Sequence, residues 1–180
     1  MVFFQVKDPH DFVLYAEYLR DVLELIRIRR NRLKYFNKHN EIDGSIKAKI
    51  ADIYRRCTDR FQGRAEVWRK RLDYLKKENM SVRCSQAYFR ALQVMGRDVE
   101  LRCEAALWEF QHNNSIDNAR VHLQLGLRSS PESPSLWITF FRIEILNVIR
   151  FVFKFLAAYL VHYSHADLYR EEKDPFRYVS

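Results

Sequence analysis

The sequence predicts an all-α protein, built as a solenoid of antiparallel helix pairs. Three observations lead there. A pattern returns every 34 to 35 residues, so that Val67-Trp68, Leu101-Arg102 and Leu136-Trp137 align and the rest falls into register. One helix–turn–helix unit of a stacked array occupies about that length. The 180 residues hold only four Gly and four Pro, and 30% are charged. That mixture suits helices with one continuous core and excludes a β-sandwich or a disordered chain. Finally, apolar residues recur at steps of three and four, and no two-residue alternation persists.

Asp8-Pro9-His10-Asp11 is a helix-start signal, with carboxylates available to cap free N–H groups. From Phe12 to about His39 nothing breaks the helix, and Phe12, Tyr15, Leu19, Val22, Ile26 and Leu33 keep amphipathic spacing. Asp43-Gly44 is the expected turn, after which Ser45 caps a helix reaching about Arg60. Gln62-Gly63-Arg64 connects to a helix from about Ala65 to Lys77. Asn79-Met80-Ser81 leads into a helix from Val82, which Gly96 ends as a C′ glycine. Asp98 opens the next helix, ending near Asn113-Asn114, and Ser115 caps another to Arg128. Ser129 to Pro134 is the clearest loop. The last helix runs from Leu136 to about Tyr163, and the charged tail from Ser164, ending in Asp174-Pro175-Phe176, is loosely held. About eight helices result, the first pair longer than the others by roughly two-thirds of a repeat.

The first helix of each unit carries bulky groups at i, i+3 and i+6. Phe12, Tyr15 and Tyr18 do so in the first unit, and Trp137, Phe140 and Ile143 in the last. Trp68 and Tyr74, then Trp108, hold the same phases between them. The second helix answers with a column of small residues, Cys57, Ala91 and Gly126, and with Tyr54, Tyr88 and Leu123 three positions earlier. These columns are the expected core, where one buried aromatic is worth roughly 1.5–3 kcal/mol. Arg71 and Arg102 stand where other units place aromatic groups. Either their long stems lie across apolar surface, or those units pack less tightly.

The formal net charge of +8 favours acidic partners, whether RNA, protein segments or membrane surfaces. Cys57, Cys84 and Cys103 are scattered and form no C-x-x-C pair, which fits a reducing intracellular compartment. Packing accounts for Cys57 better than a reactive thiol does. The start, from Met1, carries no basic stretch followed by a long apolar one, so no secretory signal is read. Ile143 to Val161 is strongly apolar, yet it contains Glu144, Arg150 and Lys154. Each costs roughly 2.5–3.5 kcal/mol near a bilayer centre, which disfavours a transmembrane helix.

Trp-x-x-Tyr-x-x-Phe-Glu on a first helix, with a small residue on the second, resembles the half-a-TPR (HAT) repeat of RNA-processing proteins. Trp137-Ile-Thr-Phe-Phe-Arg-Ile-Glu144 and Arg102-Cys-Glu-Ala-Ala-Leu-Trp-Glu109 are the best copies, and Asn118-Ala119-Arg120 with Gly126-Leu127-Arg128 is similar to its second-helix half. More narrowly, Asp11-Phe-Val-Leu-Tyr-Ala-Glu-Tyr18, Leu23-Glu-Leu-Ile-Arg-Ile-Arg-Arg30 and Arg32-Leu33 resemble the first HAT unit of the U3 small nucleolar RNA-associated protein 6 family. Ser133-Pro-Ser-Leu-Trp-Ile-Thr-Phe-Phe-Arg-Ile-Glu144 fits the same family. The resemblance runs from about Lys7 to Ile149. It implies a right-handed α-solenoid of HAT/TPR-like pairs over residues 1–150, an N-terminal portion of a longer architecture, with 151–180 a divergent helix and tail. It also implies a non-catalytic scaffold of the small-subunit processome in the nucleolus, supporting pre-rRNA processing and maturation of small-subunit rRNA. Other processome proteins are then the partners, with U3 snoRNA or pre-rRNA contacted directly or through them. A HAT scaffold in splicing or in messenger-RNA 3′-end formation is the alternative. A membrane-associated helical protein using Phe151 to Val161 is a different class.

Arg27, Arg29, Arg30, Arg32, Lys34 and Lys38 form the densest basic run, with no carboxylate among them. They are the candidate contact for RNA phosphates or for an acidic protein segment; a solvated helix face is the plain alternative. A second group, Arg55, Arg56, Arg60, Arg64, Arg69 and Lys70, follows. No RNP-type aromatic motif or zinc-knuckle spacing supports base-specific readout. His162 and His165 stand three apart with no further ligand nearby, so no metal site is read, and His112 and His122 fall around a turn. No Gly-rich phosphate loop, G-x-S-x-G or H-E-x-x-H is present. No catalytic residue, cofactor or small-molecule substrate is therefore expected.

Overall fold

The structure, a computed structural model, describes residues 8–171, with the side chains of 161–171 left outside that description. Among the described residues there are seven helices and no strand, consistent with an α-solenoid. They are α1 (Pro9–Leu33), α2 (His39–Arg60), α3 (Ala65–Lys77), α4 (Ser81–Val94), α5 (Val99–Gln111), α6 (Ile116–Ser129) and α7 (Pro134–Glu171). Each helix packs on its neighbour in the chain, and α7 packs on both α5 and α6.

Three of the predicted starts, at Asp8, Asp98 and Ser115, are built as read. Asp8 caps α1 by accepting from the His10 N–H, Asp98 caps α5 through the Leu101 N–H, and Ser115 caps α6 through the Asn118 N–H. Asp43-Gly44 is not a turn. It lies inside α2, because the Asp43 carboxylate is engaged by Arg27 and Arg30 of α1 at 2.9 Å each. Ser45 does not cap either; its hydroxyl donates back to the Glu41 carbonyl, as a mid-helix serine does. The chain turns between α1 and α2 instead, with Lys34 and Lys38 both left-handed at φ 54° and 51°. At 25 and 22 residues, α1 and α2 are longer than the 13 or 14 of α3 to α6, so the first pair forms an extended hairpin.

Backbone and side chains repeat together. The carbonyls of Cys57, Ala91 and Gly126 accept from Phe61, Met95 and Ser130, closing α2, α4 and α6 alike. Trp68 Nε1 donates to the Gln62 carbonyl at 2.8 Å, Trp137 Nε1 to Pro131 at 2.8 Å, and Arg102 Nη2 to Gly96 at 2.7 Å. Each reaches six residues back. Arg102 thus performs the indole's task while its stem lies buried, and Arg71 is buried too, with Nη1 donating to Thr58 Oγ1 and the guanidinium 5.6 Å from the Trp68 ring. The stems do cover apolar surface. Gly96 occupies the predicted C′ position without a left-handed backbone; its use is the carbonyl given to Arg102.

The core is a spine in two sections. One runs from Val13 and Ala16 through Trp68, Tyr74 and Tyr88 to Trp108; the other joins Phe110, Leu123, Leu136 and Ile143. Burial pushes the Cys57 thiol up to about 11 and the Cys84 thiol up to about 12, so both remain protonated packing groups near neutrality. Gly126 is needed where it sits. A Cβ there would lie 2.5 Å from Arg102 Cδ and 2.9 Å from Leu136 Cδ2.

Three expected core positions are exposed: Tyr15, Tyr18 and Trp137. Steps of three residues fall about 60° short of a full turn, so the stripe drifts across the helix. Middle helices are covered on both sides and bury the whole stripe. In α1 the drift carries Tyr15 and Tyr18 away from α2, while Val13, Ala16 and Leu23 are buried and Phe12 packs at the core's edge. In α7 the same drift buries Ile143, half-buries Phe140 and leaves Trp137 outside.

α7 also corrects the count of helices and the end at Tyr163. Asn79 and Asn114, 35 residues apart, are left-handed at φ 54° and 53° and turn their units. The next position at that interval is Ile149, beside Val148. β-Branched residues pay heavily for positive φ, so α7 continues as one helix of 38 residues through Ser164 and on to Glu171. Among the described residues, three pairs and one further helix result. The Asp174-Pro175-Phe176 end lies outside the described residues. Among the described residues no helix is long and apolar enough to cross a membrane.

Candidate partner interface

The basic run occupies the far end of the α1–α2 hairpin, and its six residues divide. Helical spacing of three places Arg27 and Arg30 on one side of α1, the side that α2 covers. Asp43 takes both, and its carboxyl is held below the usual range, first by the Arg30 hydrogen bond and then, against burial, by Arg27. Two cations are therefore fasteners of the hairpin, Arg30 largely covered and Arg27 exposed but paired. Arg29 and Arg32 share the opposite side, also three apart, and are exposed.

Lys34 and Lys38 flank the turn, also exposed, and none of these four forms an ion pair among the described residues. The turn itself is organised by the His39 ring nitrogen at 2.7 Å from the Phe36 carbonyl and by Asn37 Nδ2 donating to the Tyr35 hydroxyl at 3.2 Å. Leu33, Tyr35 and Phe36 are exposed between the cations. Four charges and two aromatic rings on one tip can meet phosphates and stack on bases, or seat an acidic, partly apolar segment.

The second basic group is a separate surface. Arg56 and Arg60 lie near the C-terminal end of α2, roughly 27 and 33 Å along the helix from Lys38 at 1.5 Å per residue. Arg55 there is shared by Asp52 and Asp59 at 3.7 Å each, and Arg69 reaches Glu100 at 4.0 Å. The two sets sit at opposite poles of α2.

A groove of about 520 Å³ between α4 and α6 was not read from the sequence. Phe89 and Val121 flank it, and Glu109 of α5 lies at its floor. Burial alone would raise the Glu109 carboxyl, but hydrogen bonds from Asn113 at 2.9 Å and Asn118 at 3.2 Å, with the Ser85 hydroxyl close by, outweigh it and hold it below the usual range. His122 beside it is pushed down by burial. The signal was present: Glu109 interrupts an apolar stripe and shares its phase with Glu144. That residue is gripped by Arg120 at 2.6 and 2.8 Å, and the pairing holds its carboxyl low against burial. His112 stacks on Trp108 at 4.0 Å. Among the described residues no group of three His, Cys, Asp or Glu is placed to hold a metal ion; the side chains of His162 and His165 lie outside them.

No protein-family model matches the chain. It is similar to a human protein named U3 small nucleolar RNA-associated protein 6 homolog, 28% identical over 94% of this chain and 26% of that protein. The mouse protein of the same name is 29% identical over 76% of this chain and 23% of its own length. The Schizosaccharomyces pombe U3 small nucleolar RNA-associated protein 6 is 27% identical over 76% and 28%. The resemblance to this family therefore extends over most of the chain, which spans about a quarter of the length of the curated relatives it matches. The human alignment, 170 residues long, is longer than the stretch from Lys7 to Ile149 on which the resemblance was read.

Proposed function

We propose that the chain is a non-catalytic scaffold of the U3 ribonucleoprotein and the small-subunit processome, working in the nucleolus. One observation carries this reading: the relatives that share most of the chain's length all bear the name of a U3 small nucleolar RNA-associated protein. A right-handed, HAT/TPR-like array over residues 1–150 presents a stiff surface that loses little freedom on binding. Through the array the chain holds other processome proteins on pre-ribosomal RNA and so supports maturation of the small-subunit RNA. The contact region is the run from Arg27 to Lys38. Arg29, Arg32, Lys34 and Lys38 meet the partner, and Arg27 and Arg30 keep the hairpin straight through Asp43.

Affinity purification of the tagged chain, with recovered RNAs and proteins identified, tests the reading. U3 RNA and processome subunits are expected. Their absence, where a full-length relative recovers them, overturns it. Replacing Arg29, Arg32, Lys34 and Lys38 together by Gln weakens capture and, if phosphates are the contact, flattens the salt dependence of log K by roughly 0.7–0.9 per cation. Capture that is unchanged in strength and salt response makes the run a solvated surface.

A further inference from the structure

The outward face of α7 carries exposed Ile138, Phe141, Ile145, Val148, Val152 and Phe155. Their spacing runs 3, 4, 3, 4, 3. That is the alternation of a coiled-coil seam, and it specifies an α-helix as the surface that covers it. The seam lies opposite Leu136 and Ile143, the residues that anchor α7 on the core, so α5 and α6 leave it open. The loss of the turn at Val148-Ile149 creates it. In the α3–α4 and α5–α6 units, the chain folds back to supply the second helix; α7 runs straight and supplies none to itself.

We propose that a second copy of this chain covers the seam, with the two α7 helices antiparallel about a two-fold axis near Leu146-Asn147. The residues are self-complementary in that direction. Antiparallel layers set Ile138 against Phe155 of the partner subunit, Phe141 against the partner's Val152, and Ile145 against the partner's Val148. Each large side chain then meets a β-branched one, as close packing requires. The six positions flanking the seam contain one carboxylate, Glu144, and one guanidinium, Arg142, so no block of like charge opposes pairing. Glu144 is already satisfied by Arg120. Two copies bring four phenylalanines and eight β-branched side chains, enough to pass the roughly 1,000 Å² a specific interface needs. The arrangement is isologous: each copy gives the other the helix that, among the described residues, the straight run of α7 does not supply.

Sedimentation equilibrium of the purified chain is expected to give a dimer. Val148→Glu, at the centre of the seam, converts it to a monomer with unchanged helical circular dichroism. Phe153→Glu, exposed but off the seam, leaves the dimer intact. Direction is read by cross-linking in a Cys103→Ser background. Copies carrying Ile138→Cys link to copies carrying Phe155→Cys on oxidation, and Ile138→Cys copies alone do not. A monomeric wild type, a dimer that survives Val148→Glu, or Ile138→Cys copies linking to one another would each overturn the proposal. So would a monomer that floats with phosphatidylcholine vesicles, which would make lipid the cover of this face.

Discussion

The units begun by Trp68 and Trp137 are made from nearly the same parts and end differently. Both indoles donate to a carbonyl six residues back at 2.8 Å. Yet Trp68 is 1% exposed and Trp137 is 55% exposed. Local sequence sets the ring's hydrogen bond; the neighbouring helices set its burial. α3 has α2 before it and α4 after it, whereas α7 has only α5 and α6 behind it. A repeat motif thus states where a side chain points and leaves open what will cover it.

Substitutions at equivalent positions sharpen this contrast, and unfolding in urea of the monomeric Val148→Glu variant measures them. Trp68→Ala is expected to cost about 3–5 kcal/mol, as for a fully buried aromatic, and Trp137→Ala less than about 1 kcal/mol. Equal costs would break the comparison. The paired carboxylates follow the same rule. Glu109→Gln, buried with Asn113 and Asn118 as hydrogen-bond donors, loses about 1–3 kcal/mol, and Glu144→Gln, a partly exposed pair with Arg120, below about 1 kcal/mol. Both carboxyls are depressed in the folded state, so their stabilisation is complete above the unfolded value, near 4.5, and is lost as pH falls through the folded values. His122 adds in the same direction. Its folded pKa is lowered, so folding is favoured most above 6.5 and weakens as acid forces the ring to charge. An acid titration that steepens below pH 6.5, and flattens at its acid end in Glu109→Gln, is the expected record.

Glycines give the next contrast. Gly126→Ala collides with Arg102 and the buried Leu136, and is expected to cost about 1–3 kcal/mol. Gly44→Ala meets nothing within 4 Å in mid-helix and is expected to stabilise by about 0.5–1 kcal/mol. Matching signs in urea unfolding would show that the small-residue column does not set helix approach.

What the sequence disclosed depends on the kind of interaction. Caps at Asp8, Asp98 and Ser115 are local, and they were legible because one side chain serves N–H groups two or three residues on. The columns through Trp68, Tyr88 and Ala91 were legible because repetition exposes them. Contacts across the hairpin were not. Asp43-Gly44 has turn composition, and only the opposed Arg27 and Arg30 show why it stays helical. The same bridge divides the basic run into fasteners and free charges, which no count of cations can do. Tyr15 and Tyr18 look like core because spacing reports a stripe and not its phase relative to a neighbour. The continuity of α7 was readable in principle, since Ile149 stands where Asn79 and Asn114 turn.

Matched side chains are buried or bare according to whether neighbouring helices cover their own helix on both sides, and tryptophan quenching tests this most directly. Single-tryptophan forms of the Val148→Glu monomer, with the other two indoles replaced by Phe, are titrated with acrylamide. Trp68 and Trp108, at 1% and 6% exposure, should emit to the blue and resist quenching, while Trp137 should emit to the red and quench freely. Three indistinguishable quenching curves, or a Trp137 better shielded than Trp68, would contradict the account.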